Sequence, residues 1–258
     1  MPTRDSYAAG VPNWVDLATS DQPAAKDFYA GLFGWTYDDM EMGDGAVYSM
    51  AQLQGRDVAA IAPLQADMVA AGVPPHWQMY IATPDVDAAT AKVADAGGTV
   101  MAGPFDVFEA GRMSVIADPL GAVFQLWQAK DHIGAGLVNE HGAFTWSELM
   151  AHDARSAAAF YETVTGLRMI DAPMDDGSAY TGFSLDGTVS TFLAGTREPA
   201  MDGMPAAWTV YFGADDVDAV AARTKELGGS VMAEPFDIPV GRMAVLVDPQ
   251  GAVFCTFK

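Results

Sequence analysis

Cysteine is almost missing from this chain, since Cys255 is the only one in 258 residues. A disulfide within the chain is therefore excluded, and so is any metal site that needs a pair of cysteines. Histidine is scarce as well, with four residues, and the four do not form a ligand-spaced motif. The glycine-rich phosphate loops and the nucleophile elbow of the hydrolases are also absent from the sequence.

Basic residues are few, with 13 Lys and Arg against 34 Asp and Glu, so the formal net charge is −21. A protein that binds phosphate groups needs clustered Lys and Arg. Their scarcity here argues against nucleic acid and anionic membranes as partners. No apolar run approaches the roughly 20 residues that span a bilayer, and the first residues lack the apolar core of a signal peptide. We therefore expect a cytoplasmic protein.

What the chain does have is an internal duplication. Residues 97–124 and 228–254 match at 18 positions once a single residue is deleted. The same offset continues upstream, where Trp14 faces Trp146 and the pair Phe28-Tyr29 faces Phe160-Tyr161. A repeat of this length predicts two copies of one fold, as domains 1–128 and 143–258 joined by a linker at 129–142.

Each copy divides again into two similar halves. A strand comes first, then a helix with one apolar stripe, then three strand-like segments, which gives four βαβββ units in all. Asp21 and Asp153 are predicted helix N-caps, and Gly34 and Gly166 are predicted helix ends. The predicted fold class is α+β, with two tandem domains, each a cupped and mostly antiparallel sheet covered by helices on one face.

These features resemble the vicinal oxygen chelate superfamily, which includes glyoxalase I, bleomycin-resistance proteins and extradiol dioxygenases. The resemblance rests on the paired βαβββ units, the FY pair in the first helix, the GG before a strand and the DP-x-G turn before the last strand. The opening GVPNWVDLATSD and the linker KDHIGAGLVNE are further similar to tandem two-domain actinobacterial proteins labelled glyoxalase-like or hydroxylase. A fold shared by so many activities does not by itself decide the function.

The resemblance implies four places for metal ligands in each copy, on the first, fourth, fifth and eighth strands. Carried over by spacing, they are Trp14, residues 60–62, Trp77 and Gln125 in the first copy, and Trp146, residues 191–193, Trp208 and Cys255 in the second. An indole has no lone pair to give, and a divalent ion needs several imidazole, thiolate or carboxylate donors. We therefore expect no metal and no cofactor, although a shift of one residue would bring in His76.

Aromatic side chains replace the expected ligands. Because side chains alternate along a strand, the predicted lining of each cup is a Trp-rich apolar surface with few polar groups. The predicted ligand-binding residues are Trp14, Trp77, Met79, Gln125, Trp127 and Tyr48 in the first copy, and Trp146, Trp208, Val210, Cys255, Phe257 and Tyr180 in the second. Such a cup suits a flat, apolar molecule, while the alternative is that these tryptophans are ordinary core.

Asp16 and Glu148 are the candidate catalytic residues. A carboxylate among tryptophans is expected to have a raised pKa through desolvation, as general acids and bases do. The alternative is a carboxylate hydrogen-bonded to backbone or to a neighbouring tyrosine. Arg112 and Arg242 are candidates for binding an anionic substituent or pairing with these acids, although a surface ion pair is the commoner fate of such arginines.

Three functions remain open on the sequence alone. The first is metal-independent binding of a hydrophobic or aromatic metabolite or antibiotic, for sequestration, resistance or tailoring. The second is a glyoxalase-like lyase or isomerase, or an accessory hydroxylase, with Asp16 or Glu148 as the proton carrier. The third is a protein that acts through macromolecular contacts. The duplication predicts a monomer whose two domains pair by a pseudo-twofold axis.

Overall fold

Two eight-stranded sheets form the protein in a computed structural model that describes residues 3–43, 45–174, 177–199 and 203–258. The first sheet has the order β2-β3-β4-β1-β5-β8-β7-β6, and the second repeats it as β10-β11-β12-β9-β13-β16-β15-β14. In each sheet the two central strands pair antiparallel, and each of them has a parallel partner on its other side. The predicted α+β architecture of four βαβββ units is confirmed.

The strands of the first sheet are β1 Pro12–Thr19, β2 Thr36–Gly43, β3 Ala46–Leu53, β4 Arg56–Pro63, β5 His76–Ala82, β6 Thr99–Val107, β7 Gly111–Ala117 and β8 Val123–Ala129. Those of the second are β9 Phe144–Met150, β10 Arg168–Pro173, β11 Ala179–Ser184, β12 Phe192–Arg197, β13 Ala207–Gly213, β14 Ser230–Ile238, β15 Gly241–Val247 and β16 Val253–Phe257. The helices are α1 Gln22–Phe33, α2 Ala66–Ala70, α3 Val86–Ala91, α4 Ala158–Thr165 and α5 Val217–Glu226. None of the helices in these ranges is both long enough and apolar enough to cross a bilayer.

The helix boundaries follow the predicted capping residues in three of four cases. Asp21 accepts a hydrogen bond from the backbone N–H of Ala24, and Gly34 ends α1 in the left-handed conformation. Gly166 ends α4 in the same way. The prediction for Asp153 is wrong, because a 3-10 turn at Ala154–Ala157 comes before α4 and the Asp153 side chain caps nothing. Its carbonyl accepts from Ser156 instead.

One large core joins the helix-bearing faces of both sheets. Tyr29 of α1 donates to Asp248 in the other domain at 3.3 Å, and Tyr161 of α4 donates to Asp118 at 2.8 Å. Both aspartates belong to the DP-x-G turns, where they also accept hydrogen bonds from the turn's own backbone. The most strongly repeated residues of the chain therefore hold the two domains together by reciprocal bonds.

Candidate functional site: two cups with different polar floors

The face of each sheet that carries no helix is the candidate site, and we call these faces the first cup and the second cup. Residues paired across neighbouring strands lie on the same face, so the pairing register decides which side chains line each cup. The first cup contains Trp14, Asp16, Tyr48, Met50, Ala60, Gln78, Tyr80, Met113, Gln125 and Trp127. The second contains Trp146, Glu148, Tyr180, Phe192, Gly195, Arg197, Thr209, Tyr211, Met243, Cys255 and Phe257.

Trp77 and Met79 were predicted to line the first cup, and Trp208 and Val210 the second, but none of them does. All four belong to the shared core. The Trp77 indole donates to Tyr29 at 3.0 Å, and that of Trp208 donates to Tyr161 at 2.9 Å. The reason is strand alternation: the apolar set of β5 faces the helices, which leaves Gln78 and Tyr80 to face the cup.

Arg112 and Arg242 also lie away from the cups. Arg112 forms ion pairs with Asp87 and Asp106, with shortest distances of 2.7 and 3.3 Å. Arg242 repeats the arrangement with Asp218 and Asp237 at 2.7 and 2.9 Å. Neither arginine reaches Asp16 or Glu148. Ion pairs as exposed as these add little stability.

The floor of the first cup is a relay of hydrogen bonds around Asp16. The indole of Trp14 donates to the Tyr48 hydroxyl at 2.9 Å, and Tyr48 donates to Asp16 Oδ2 at 3.0 Å. Tyr80 donates to the same oxygen at 2.7 Å. Asp16 is 4 % exposed, and burial raises its pKa to about 6 although both tyrosines act to lower it.

Two acceptor atoms on this floor have no partner. Asp16 Oδ1 and Gln125 Oε1 are buried and lack a hydrogen bond in the described part of the chain. The amide nitrogen of Gln125 is already used, since it donates to Gln78 Oε1. The first cup therefore has more acceptors than donors, and each buried acceptor without a donor costs free energy.

Part of the linker covers the first cup, and we call residues 131–138 the strap. The His132 ring meets the Trp14 indole edge-on with centroids 4.5 Å apart, and its carbonyl accepts from Trp127 at 2.9 Å. Ala135 and Val138 pack into the same apolar cluster. Trp14 is 2 % exposed and Trp127 is 5 % exposed, so this cup is largely filled by the protein itself.

The second cup repeats the relay with one addition. Trp146 donates to Tyr180 at 3.3 Å, Tyr180 donates to Glu148 Oε1 at 2.5 Å, and Tyr211 donates to Glu148 Oε2. Arg197 adds a guanidinium whose Nη2 lies 2.9 Å from Glu148 Oε2. Its place on β12 corresponds to Ala62 on β4, because Arg197 pairs with Met150 as Ala62 pairs with Ala18.

The walls of the second cup are aromatic and more open. The rings of Trp146 and Phe192 stack at 5.8 Å with 22° between their planes. Trp146, Tyr180, Phe192 and Phe257 are only half-buried. Cys255 lies beneath them at 1 % exposure, and burial raises the pKa of its thiol to about 12. A thiol held neutral in this way packs as a small apolar group and is a poor nucleophile.

The donor sets of the two cups do not suit a divalent metal ion. The four strands that the resemblance assigns to ligands present Trp14, Ala60, Gln78 and Gln125 to the first cup. The shift of one residue on β5 also turns His76 toward this face, since His76 pairs with Ala18 as Gln78 pairs with Asp16, but its Nδ1 lies 2.8 Å from the Pro74 carbonyl. The corresponding places in the second cup hold Trp146, Gly195, Thr209 and Cys255, and the nearby carboxylate is already paired with a cation. Over the described ranges no three His, Cys, Asp or Glu side chains come together as metal ligands would.

Comparison with known proteins places this fold in a family. The model of the "Glyoxalase/Bleomycin resistance protein/Dioxygenase superfamily" matches the chain twice, over residues 11–126 and 143–256. The chain belongs to this superfamily. The solved structures agree on the superfamily fold: the Mn(II)-bound glyoxalase from Novosphingobium aromaticivorans is 17 % identical with a TM-score of 0.65, over 97 % of this chain and 83 % of that one.

Curated relatives within the superfamily cover the whole chain. The protein named "Putative glyoxylase CFP32" of Mycobacterium tuberculosis is 52 % identical over 100 % of this chain and 98 % of its own length. "Anthracycline biosynthesis protein DnrV" of Streptomyces peucetius is 39 % identical over 96 % of this chain and 93 % of its own length. The relatives therefore share both domains and carry two different functional names.

Several cup residues were missed from the sequence, among them Gln78, Tyr80, Phe192, Thr209, Tyr211 and Arg197. Tyr80 and Tyr211 escaped because the strand phase was set from the tryptophans, although the alternation of Trp77, Met79 and Ile81 marks the opposite face as core. Arg197 and the strap residue His132 had no local signal. Both meet their partners through tertiary contacts between segments far apart in the chain.

Proposed function

We propose that this superfamily member binds a flat, aromatic small molecule in the second cup without a divalent metal ion. The observation that carries the proposal is the stacked, half-buried pair Trp146 and Phe192 above a polar floor. Aromatic walls with a few placed polar groups are typical of small-molecule sites. The first cup has the same relay but is covered by the strap, so the second is the better receptor.

The relatives named for anthracycline biosynthesis support an aromatic ligand, because anthracyclines are planar polycyclic molecules. The donor chemistry supports metal independence, since the second cup offers one thiol and one carboxylate that is already neutralised by Arg197. Sequestration, resistance and tailoring of the ligand are all compatible with such a cup.

The proposal is tested by titrating EDTA-treated protein with planar aromatic compounds and their saturated analogues, followed by tryptophan fluorescence and calorimetry. We expect binding of the planar compounds alone, and a loss of about tenfold or more in affinity for Trp146→Ala, because stacking on one aromatic is worth roughly 1 kcal/mol beyond burial. Phe108→Ala, at an exposed aromatic outside the cups, is the matched control. Absence of binding, or binding only after a metal is restored, would overturn the proposal.

A second candidate is acid–base catalysis, as in a glyoxalase-like lyase or isomerase or an accessory hydroxylase. The observation in its favour is Asp16, whose pKa of about 6 is close to neutrality, as a proton carrier requires. Glu148 is less suited, because both of its oxygens already have partners, Oε1 in Tyr180 and Oε2 in Tyr211 and Arg197. Asp16→Asn and Glu148→Gln test it: turnover lost with ligand affinity retained supports catalysis, and unchanged turnover in both variants refutes it.

A further inference from the structure

The two cups differ in which kind of polar atom is left without a partner. In the second cup both oxygens of Glu148 are taken, Oε1 by Tyr180 and Oε2 by Tyr211 and Arg197. Each oxygen of this carboxylate therefore already has a donor before a ligand binds. The first cup is the reverse, with Asp16 Oδ1 and Gln125 Oε1 as unpartnered acceptors.

The unpartnered group of the second cup is a donor. Arg197 uses Nη2 for Glu148 and for the Tyr211 hydroxyl, while its Nε is enclosed and has no partner among the described residues. A guanidinium has no acceptor atoms, so only an acceptor on the ligand can satisfy it. Nε itself is enclosed while the Arg197 side chain is 31 % exposed, so a ligand oxygen meets this N–H when the guanidinium turns toward the cup. The hydrogen bond then removes a cost that the unliganded protein bears.

The charge around Arg197 decides between a neutral and an anionic acceptor. Glu148 on β9 already balances the guanidinium. The other titratable side chains that act on it have a raised pKa and are neutral; they are Tyr180 on β11, Tyr211 on β13 and Cys255 on β16. The chain as a whole carries a net charge of −21, which repels anions. An uncharged carbonyl oxygen suits this balance better than a carboxylate.

We propose that the ligand of the second cup is an uncharged aromatic carbonyl compound, a quinone or an aryl ketone, whose oxygen accepts a hydrogen bond from Arg197. The inference rests on the proposed function, since it names the class of aromatic molecule that the cup selects. The aromatic walls pack against the ring system, and Arg197 donates to the carbonyl oxygen at its edge.

The test compares two probes of nearly the same shape, fluorene and 9-fluorenone, which differ in one carbonyl oxygen. We expect wild-type protein to bind fluorenone about tenfold more tightly, equivalent to roughly 1.4 kcal/mol. Arg197→Lys keeps a positive charge for Glu148 but removes the Nε donor, so the variant should bind fluorene and fluorenone with equal affinity. Arg155→Lys, at an arginine paired with Asp171 on the surface, is the control that keeps the preference.

Each outcome separates this inference from the proposed function. Equal binding of both probes by wild-type protein overturns the carbonyl assignment and leaves aromatic binding intact. A preference that survives in Arg197→Lys overturns the role of Arg197. Tighter binding of fluorene-2-carboxylate than of fluorenone overturns the choice of an uncharged ligand. If none of the three probes binds, the proposed function fails and this inference fails with it.

Discussion

The two cups solve the same problem in opposite ways. Each buries a carboxylate under a tryptophan and two tyrosines, but the second adds a guanidinium, with Arg197 Nη2 2.9 Å from Glu148 Oε2. In the first cup Ala62 stands at that place, and the pKa of Asp16 rises to about 6 through burial. A buried carboxylate is costly unless it is paired: in the second cup a guanidinium pairs with it, and in the first the cost appears as a raised pKa.

The largest expected effect comes from removing the charge that is paired. Glu148→Gln should lower the free energy of unfolding by about 2 kcal/mol, because it leaves the guanidinium of Arg197 partly buried without a counter-charge. Urea unfolding at pH 7.5 measures the loss. Glu162→Gln, at an exposed pair with Arg168, is the control and should change stability by less than about 0.5 kcal/mol. Equal midpoints for the two variants would contradict the comparison.

Asp16→Asn should have the opposite sign. The folded protein holds the Asp16 proton up to about pH 6, whereas the unfolded chain releases it near pH 4. The wild-type protein therefore loses stability from this group as the pH rises from about 4 to about 6, and the loss then stays constant. The variant escapes this loss, so it should gain up to about 2 kcal/mol over wild-type protein at pH 7.5 and nothing at pH 4. A gain of equal size at both values would refute the titration.

A smaller difference is expected from removing matching tyrosine hydroxyls. Tyr48→Phe and Tyr180→Phe each delete a donor to the carboxylate and an acceptor for a tryptophan. The first cup should lose about 1 kcal/mol and hold the Asp16 proton to a higher pH. The second should lose less, because Arg197 still stabilises Glu148. Urea unfolding across the pH range distinguishes the two, and the reverse order of losses would count against the role of Arg197.

The smallest effect is expected from making the first cup resemble the second. Ala62→Arg adds a guanidinium at the register position of Arg197, and its charge should lower the pKa of Asp16 toward the ordinary value of a carboxyl. The pH dependence that Asp16→Asn removes should then shrink in the Ala62→Arg variant as well. Ala62→Gln, of similar length without charge, is the control. If both variants behave alike, the positive charge does not explain the difference between the cups.

Much of the fold could be predicted from local patterns. The caps at Asp21 and Gly34, the apolar stripes and the repeated DP-x-G turn act within a few residues, so they are readable from the chain. The prediction failed at Asp153, where a 3-10 turn replaces the first helical turn. The offset between the copies was sufficient to predict two sheets of one design.

The cups were less predictable because they depend on strand phase and on distant pairings. The prediction that Trp77 and Trp208 line the cups set the phase of β5 and β13 wrong by one residue, and an error of one residue moves a side chain to the opposite face. Arg197 reaches Glu148 only because β12 runs parallel to β9, and this pairing has no local signature. The strap has no periodicity that would indicate where it packs.

The reciprocal bonds between Tyr29 and Asp248 and between Tyr161 and Asp118 bear on the ancestry of the chain. Each domain donates a tyrosine hydroxyl to the aspartate in the DP-x-G turn of the other domain. A single-copy ancestor could therefore make both contacts in a symmetric homodimer. In such a homodimer every mutation appears in both cups at once. Joining the copies into one polypeptide allows each cup to mutate alone. The two cups now differ accordingly, with Arg197 in the second and the strap over the first.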